Sequence, residues 1–369
     1  MQYDQEKLDQ ISDYIQAEIV GQAAHYDEHK LFPLLFINRL VTDHKIFRLL
    51  HQTVDRDSGL RTFLEVIRLL SIEFSSLAAI LMTQAFFAIW LLEHFGSPEQ
   101  KERYLDDLLN FKKIGAFAFS EEDINLDKQF PETMARQTDK GWIINGRKQM
   151  VSNAPMADVL FVLCQTVDQY GKKDMAIFVL DSKTSGVQVG PTIDKVGVRS
   201  MPLAPISFEN VQLTNDQLLG HQIAGKQQYT QSMIKMRLAI SAQSLGIAEG
   251  AFKKGLAYSQ IRRGFGKRPI DVSINQLRIV DLKTALVACE AYYHDYLRTD
   301  MSDEREVSML KIITSRLAST ISEEVVRITG AYSFIGNDDI ERYVHDANIT
   351  KEYGGKTDRL KKKIAEMWL

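Results

Sequence analysis

Side chains able to do chemistry are thinly spread in this chain. Cys164 and Cys289 are the only thiols in 369 residues, no CxxC pair occurs, and the eight histidines stand singly. That pattern supports neither a disulfide framework nor a zinc site, so no metal is expected. What remains are hydroxyls and cations. Ser120 and Ser152 each end a β-rich run, where a serine commonly bonds its own backbone. Arg237, in Lys235-Met236-Arg237-Leu238, reads by itself as a surface charge on an amphipathic helix. Arg262 stands among Arg263, Lys267 and Arg268, a cluster that alone is a solvated helix face. Residue types and spacing name no catalytic residue.

The elements that position these side chains fall into three segments. Apolar residues are 45% and charged residues 25% of the chain, the balance of a folded globular protein. The formal net charge of -3, with acids and bases mixed, argues against nucleic-acid binding. Helical periodicity dominates residues 1–112, and Ser97-Pro98-Glu99-Gln100 carries the signature of a capping box. The apolar run from Leu77 to Leu92 is broken by Thr83 and Gln84 and falls short of the ~20 residues of a membrane span, so it reads as a buried helix. Residues 113–222 read as a β domain, with β-rich runs at Val159 to Leu163, Ala176 to Leu180, Val187 to Val189 and Ile206 to Phe208. There Asn145-Gly146 predicts a hairpin turn, with Arg147 to Val151 as the returning strand. Over 223–369 helical periodicity returns. Ile279, Leu282, Leu286, Cys289, Tyr293 and Tyr296 form a core stripe suited to a four-helix bundle. The fold class expected is α+β, in the order helical, β, helical. The N-terminus has neither a secretory nor an organelle signal, which predicts a cytoplasmic protein.

Several stretches in this order resemble the acyl-CoA dehydrogenase family, over roughly residues 75 to 369. They are Phe95-Gly96-Ser97-Pro98-Glu99-Gln100, Ala116-Phe117-Ala118-Phe119-Ser120-Glu121, Gly141-Trp142 through Val151-Ser152-Asn153, Gly197-Val198-Arg199-Ser200, Arg262-Arg263-Gly264-Phe265-Gly266 and Ile340-Glu341-Arg342 with His345-Asp346-Ala347. Each alone is weak; their order and spacing carry the resemblance. It implies FAD bound between the β domain and the C-terminal helices, in a homodimer or homotetramer whose neighbouring subunit touches the nucleotide. Carried over, Phe119 and Ser120 face the flavin, and the Ser152 hydroxyl lies near the flavin nitrogen that accepts hydride. Arg262 contacts pyrophosphate with Phe265 beside the nucleotide, and Arg237 lies near the substrate. Arg327 and Gly330 stand where the family has its glutamine and the first of its paired glycines, so Arg327 is expected to make a phosphate contact.

The same resemblance exposes departures. Such enzymes remove a proton alpha to a thioester with a glutamate while hydride passes to the flavin. The family's glutamate position is Gly354, and the alternative position one helix earlier is Met236. Glu352 is turned away by its two-residue offset, which leaves Glu121 or Glu122 by rearrangement, a reaction that needs no base, or no reaction. The Gly-Ala-Gly-Ser-Asp run is replaced by Asp123-Ile124-Asn125-Leu126-Asp127, the flavin-edge tryptophan by Met150, and the threonine after the glutamate by Lys356. The expected function is α,β-dehydrogenation of an acyl thioester, carried by CoA or an acyl carrier protein, with electrons passed to an electron-transfer flavoprotein. The alternatives are a flavin oxidase or monooxygenase on the same fold, and a non-catalytic partner in a hetero-oligomer with a paralogue.

Overall fold

The computed structural model describes residues 3–51, 56–168, 170–261, 266–334, 339–366 and 368. Among the described residues seven α-helices come first: α1 (Gln5–Tyr14), α2 (Ala23–Glu28), α3 (Leu34–Thr42), α4 (Arg56–Glu73), α5 (Ser75–Gln84), α6 (Trp90–Phe95) and α7 (Pro98–Leu109). Residues 75–95 are long and apolar enough to cross a membrane, contrary to the length read from the sequence, and their apolar window is wholly buried, as expected of a core helix. Gln84 explains one break: its amide donates to Leu108 O (2.9 Å) and Lys113 O (3.1 Å) and accepts from Gly115 N (2.8 Å), joining the helices to the first strand. The capping box at Ser97 forms as expected, and Gln100 also donates to Asp216 O and Leu218 O, across the sheet's far end.

Strands β1 (Gly115–Ala118), β2 (Met134–Thr138), β3 (Gly141–Ser152), β4 (Val159–Val167), β5 (Lys173–Asp181), β6 (Val187–Val189) and β7 (Leu203–Leu213) form one sheet ordered β1-β4-β2-β3-β7-β6, with β5 on β4. The four β-rich runs read from sequence lie in β4 to β7. The hairpin at Asn145-Gly146 does not. That pair lies inside β3, at a register shift against β7, and the chain turns at 139–140, where Thr138 pairs with Gly141. Glycine is required at 146 for a different reason: φ is +146°, and a Cβ there would meet Thr133 Cα at 2.6 Å. A glycine can mark close backbone approach at a bulge as well as a turn.

Helices α8 (Gly225–Gln260), α9 (Ser273–Tyr296), α10 (Glu304–Thr329), α11 (Ile340–Thr350) and α12 (Thr357–Ala365) complete an α+β architecture. Of the expected α9 stripe, Leu282, Leu286, Cys289, Tyr293 and Tyr296 are buried and Ile279 packs against the same core.

The three layers meet at the loop around Val198. Asp346 of α11 accepts the Val198 N–H (2.7 Å), and Asp27 of α2 accepts the Arg199 N–H (2.9 Å). Burial pushes the Asp346 carboxyl up to about 7 against the opposing pull of Arg342, with Asp27 and Asp339 adding repulsion. A carboxyl whose folded pKa lies above its unfolded one keeps its proton longer in the folded chain, so its contribution to stability falls as pH rises from ~4 to ~7. Asp346→Asn is therefore expected to remove a downward limb from the stability–pH curve. Denaturation at stepped pH checks this, and parallel curves for the two proteins would exclude it.

Candidate functional site

The end of β1 and the end of β3 are brought side by side by backbone and charge. Gln149 N donates to Ser120 O at 2.8 Å, and Lys148 Nζ donates to Phe119 O at 3.3 Å and to Glu121 Oε1 at 2.6 Å. Beyond Lys148 the strand bulges at Met150, whose φ is +50° and whose side chain is exposed. Ser152, half-buried like Ser120, follows. Among the described residues neither serine hydroxyl has a protein partner, so the usual strand-end bond to local backbone is not made. Beside Ser152, Asn153 is fully buried with both amide atoms unpartnered. Orphaned polar groups of this kind call for a ligand or ordered water. Phe119 packs its ring against Phe87 (5.4 Å) and Tyr229 of α8 (5.4 Å), forming the patch's apolar floor.

Two turns further along α8 lies Arg237. It is buried, contrary to the surface reading, and it donates through Nε to Gly354 O (2.9 Å) and through Nη1 to Glu304 Oε1 (2.9 Å). Lys363 of α12 shares the same Glu304 oxygen (2.6 Å) and also reaches Asp127 (3.0 Å), so a chain of charges runs from the loop after β1 to the turn at Gly354. Burial alone would raise Glu304 and Asp127; hydrogen bonds from Lys363, and for Glu304 from Arg237, more than reverse this and hold both below the usual carboxylate range. Burial pushes the Tyr229 hydroxyl up to about 12. From below, fully buried Lys311 donates to Lys351 O (3.0 Å) and Gly355 O (2.9 Å); burial, with repulsion from Arg237, lowers it to about 7. Consecutive carbonyls at 354 and 355 are thus each held by a buried basic side chain, Arg237 and Lys311. The N–H groups of Gly354, Gly355 and Lys356 have no backbone acceptor among the described residues.

The turn itself is left-handed. Gly354 has φ +70°, and a Cβ there would meet Ile240 Cδ1 at 2.3 Å and Arg237 Cγ at 3.7 Å. Position 354 is therefore not a glutamate site with its side chain trimmed away, because the backbone aims a side chain into α8. Adding the carboxylate would cost ~1–2 kcal/mol in backbone strain alone. We expect Gly354→Glu to fall far short of the ~10²–10⁴-fold that a positioned base supplies. Flavin bleaching by a short-chain acyl thioester measures this, and a gain within that range would sink the expectation.

The other positions divide. Met236 is buried in the core and Glu352 is exposed. Glu121 is engaged: it accepts from Lys148 and from the N–H groups of Thr133 and Glu132, and although burial would raise it, these partners hold it low. Glu122 is exposed and bonded to Gln149. Neither is placed to serve as a base. Arg327, in the last turn of α10, pairs with Glu324 at 2.5 Å and lines a cavity of about 290 Å³ with Val326, Phe334 and His345. Gly330 ends that helix with φ +63° and open space beside it. Arg262 and Phe265 lie outside the described residues. Sequence reasoning missed Glu304, Lys363, Lys311 and Tyr229. Lys363 and Glu304 stand 59 residues apart, and Lys363 and Asp127 stand 236 apart, so no short-range pattern could join them.

Three family models match in chain order: acyl-CoA dehydrogenase N-terminal domain over residues 3–112, middle domain over 116–211 and C-terminal domain over 224–369. The chain is similar to a 3-(aryl)acrylate reductase of Clostridium sporogenes, 30% identical over 71% of each chain. It is also similar to subunit CarC of the caffeyl-CoA reductase-Etf complex of Acetobacterium woodii, 28% identical over 74% of this chain and 73% of that one. Its fold is that of butyryl-CoA dehydrogenase from Megasphaera elsdenii, with TM-score 0.90 and 22% identity over 99% of this chain and 97% of that one. The agreement of domain order, relatives and fold places this chain in the acyl-CoA dehydrogenase family of flavoenzymes.

Proposed function

We propose that the chain binds FAD at the β1–β3 patch and carries out α,β-dehydrogenation of an acyl thioester, with electrons passed to an electron-transfer flavoprotein. The observation that carries this reading is the two hydroxyls without a protein partner among the described residues, Ser120 after β1 and Ser152 at the end of β3, on segments that the Gln149–Ser120 bond joins. When bound, FAD supplies the hydride acceptor. Short hydroxyl donors stabilise the charge that a reduced flavin gains without blocking its face. Phe119 and Met150 offer apolar contact to a ring system. The Gly354 N–H, with no backbone acceptor among the described residues, is available to the thioester carbonyl, and Arg237 and Lys311 keep its turn fixed. Arg327 borders a cavity of a size to take part of the nucleotide, and Gly330, Arg262 and Phe265 are assigned to the nucleotide on the family's pattern alone.

Proton removal is the weak step in this site. Asp127 and Glu304 are ionised but held low by Lys363 and Arg237, and a carboxylate so stabilised is a poor base. A second reading, a family member that binds without turnover, is favoured by one observation: the left-handed, doubly clamped turn at Gly354. The visible absorption spectrum of the purified protein, before and after reconstitution with FAD, comes first. Bound flavin that short-chain acyl thioesters bleach anaerobically supports dehydrogenation. Bound flavin that no thioester bleaches supports the second reading, and protein that stays colourless removes the FAD assignment.

A further inference from the structure

The sequence from 356 to 363 holds five cations and one acid in a chain whose net charge is -3. The structure sorts these charges. Lys361 pairs with Asp358 (3.2 Å), and Lys363 turns inward to Asp127 and Glu304. Glu366, just past the end of α12, pairs with Lys128 (2.6 Å). Lys356, Arg359 and Lys362 are exposed, and among the described residues none of them has an ion-pair partner. They stand three residues apart, roughly 4.5 Å per step along a helix axis.

Helix stability accounts for Lys362, which lies in the last turn of α12 where a cation complements the dipole, but not for the other two. Lys356 is the N-cap residue of α12 and Arg359 lies in its first turn, at the positive end of the helix dipole, where cations are disfavoured. Nor do the three cations serve the core, which α12 meets through Leu360 and Ile364. Their position relative to the site is fixed by Lys363. From the same helix it reaches the Asp127–Glu304–Arg237 chain that ends at Gly354, so the strip lies on the helix that is tied to that turn.

We propose that this face of α12 docks an acidic acyl carrier protein, which delivers the thioester to the turn at Gly354. The proposal rests on the thioester reading above and names the carrier. A row of unpaired cations at helical spacing matches acids repeating at the same step on a partner helix. The phosphates of CoA, clustered at one end of a small molecule, call instead for cations that converge. Complementary charge of this kind governs encounter rate and partner choice.

The test compares the FAD-reconstituted wild type with Lys356→Glu/Arg359→Glu/Lys362→Glu, which changes surface residues only and is checked for fold by circular dichroism. Fluorescence anisotropy of a labelled, purified acidic holo acyl carrier protein gives the affinity. Wild type is expected to bind, more weakly as salt rises through about 0.1–0.3 M, and the triple reversal to lose about tenfold or more, with flavin content and butyryl-CoA affinity unchanged. No carrier binding by wild type, or binding that the reversal leaves intact, overturns the proposal. So does an equal loss of butyryl-CoA affinity, which would make the strip a site for nucleotide phosphates. Binding is read without turnover, so its outcome is separable from the redox reading: a carrier that docks without reducing the flavin keeps the surface and removes the reaction.

Discussion

Glu121→Gln is expected to destabilise the protein by about 3–5 kcal/mol, because it leaves the Lys148 ammonium buried without its counter-charge. Lys148 is fully buried and Glu121 nearly so, at 2.6 Å. Burying the two charges is costly, and their mutual attraction together with the N–H groups of Thr133 and Glu132 offsets that cost only while both are present. Adding Lys148→Met to Glu121→Gln should therefore recover at least half of the loss, since the amide still accepts a backbone N–H and no unpaired charge remains. Denaturant midpoints at constant slope give the double-mutant cycle, and additive costs would show that the pair is not coupled. The sign with pH follows from the lowered folded pKa of Glu121. Its stabilisation is present above the unfolded value of ~4.3 and is lost as pH falls through the folded one. A carboxylate held this way cannot leave its place to take a substrate proton without weakening the patch that it supports.

This pair also marks the boundary of what the sequence could disclose. Elements set by nearest neighbours were legible: the capping box at Ser97, the strands in β4 to β7 and the stripe along α9 all depend on residues within one or two turns. The resemblance found Ser120 and Ser152, but only the fold shows that their hydroxyls are unpartnered, because that depends on what β1 and β3 place around them. Gly146 misled, since a hairpin turn and a crowded bulge both require glycine and differ only in what lies opposite, here Thr133. Met236 and Gly354 were legible as missing carboxylates. What replaced them was not, because the chain from Asp127 through Lys363 and Glu304 to Arg237 draws on four elements far apart in sequence. Arg237 itself was placed near the substrate by resemblance and on the surface by residue pattern. Its burial follows from α8 being packed on most of its faces, which no single amphipathic stripe reveals.

Arg237→Met is expected to separate thioester binding from flavin binding. The methionine fills much of the arginine's apolar stem but leaves Gly354 O without its donor, and it leaves Glu304 with Lys363 alone. Breaking a buried charge pair costs about 3–5 kcal/mol, and because Lys363 still neutralises Glu304 the loss should sit near the lower end. Lys311 continues to hold Gly355 O, so the turn is loosened on one side and not abolished. Thioester affinity should fall at least tenfold, since the Gly354 N–H is no longer held in place, while FAD affinity stays within about twofold, since Ser120 and Ser152 belong to another layer. Arg237→Lys is the sharper variant. One ammonium retains the charge but lacks the planar fork that serves Gly354 O and Glu304 together, so stability should return further than thioester affinity does. Titrations of both variants with FAD and with a short-chain acyl-CoA decide the matter. Equal losses of both ligands would mean that Arg237 supports the whole fold and has no particular hold on the turn.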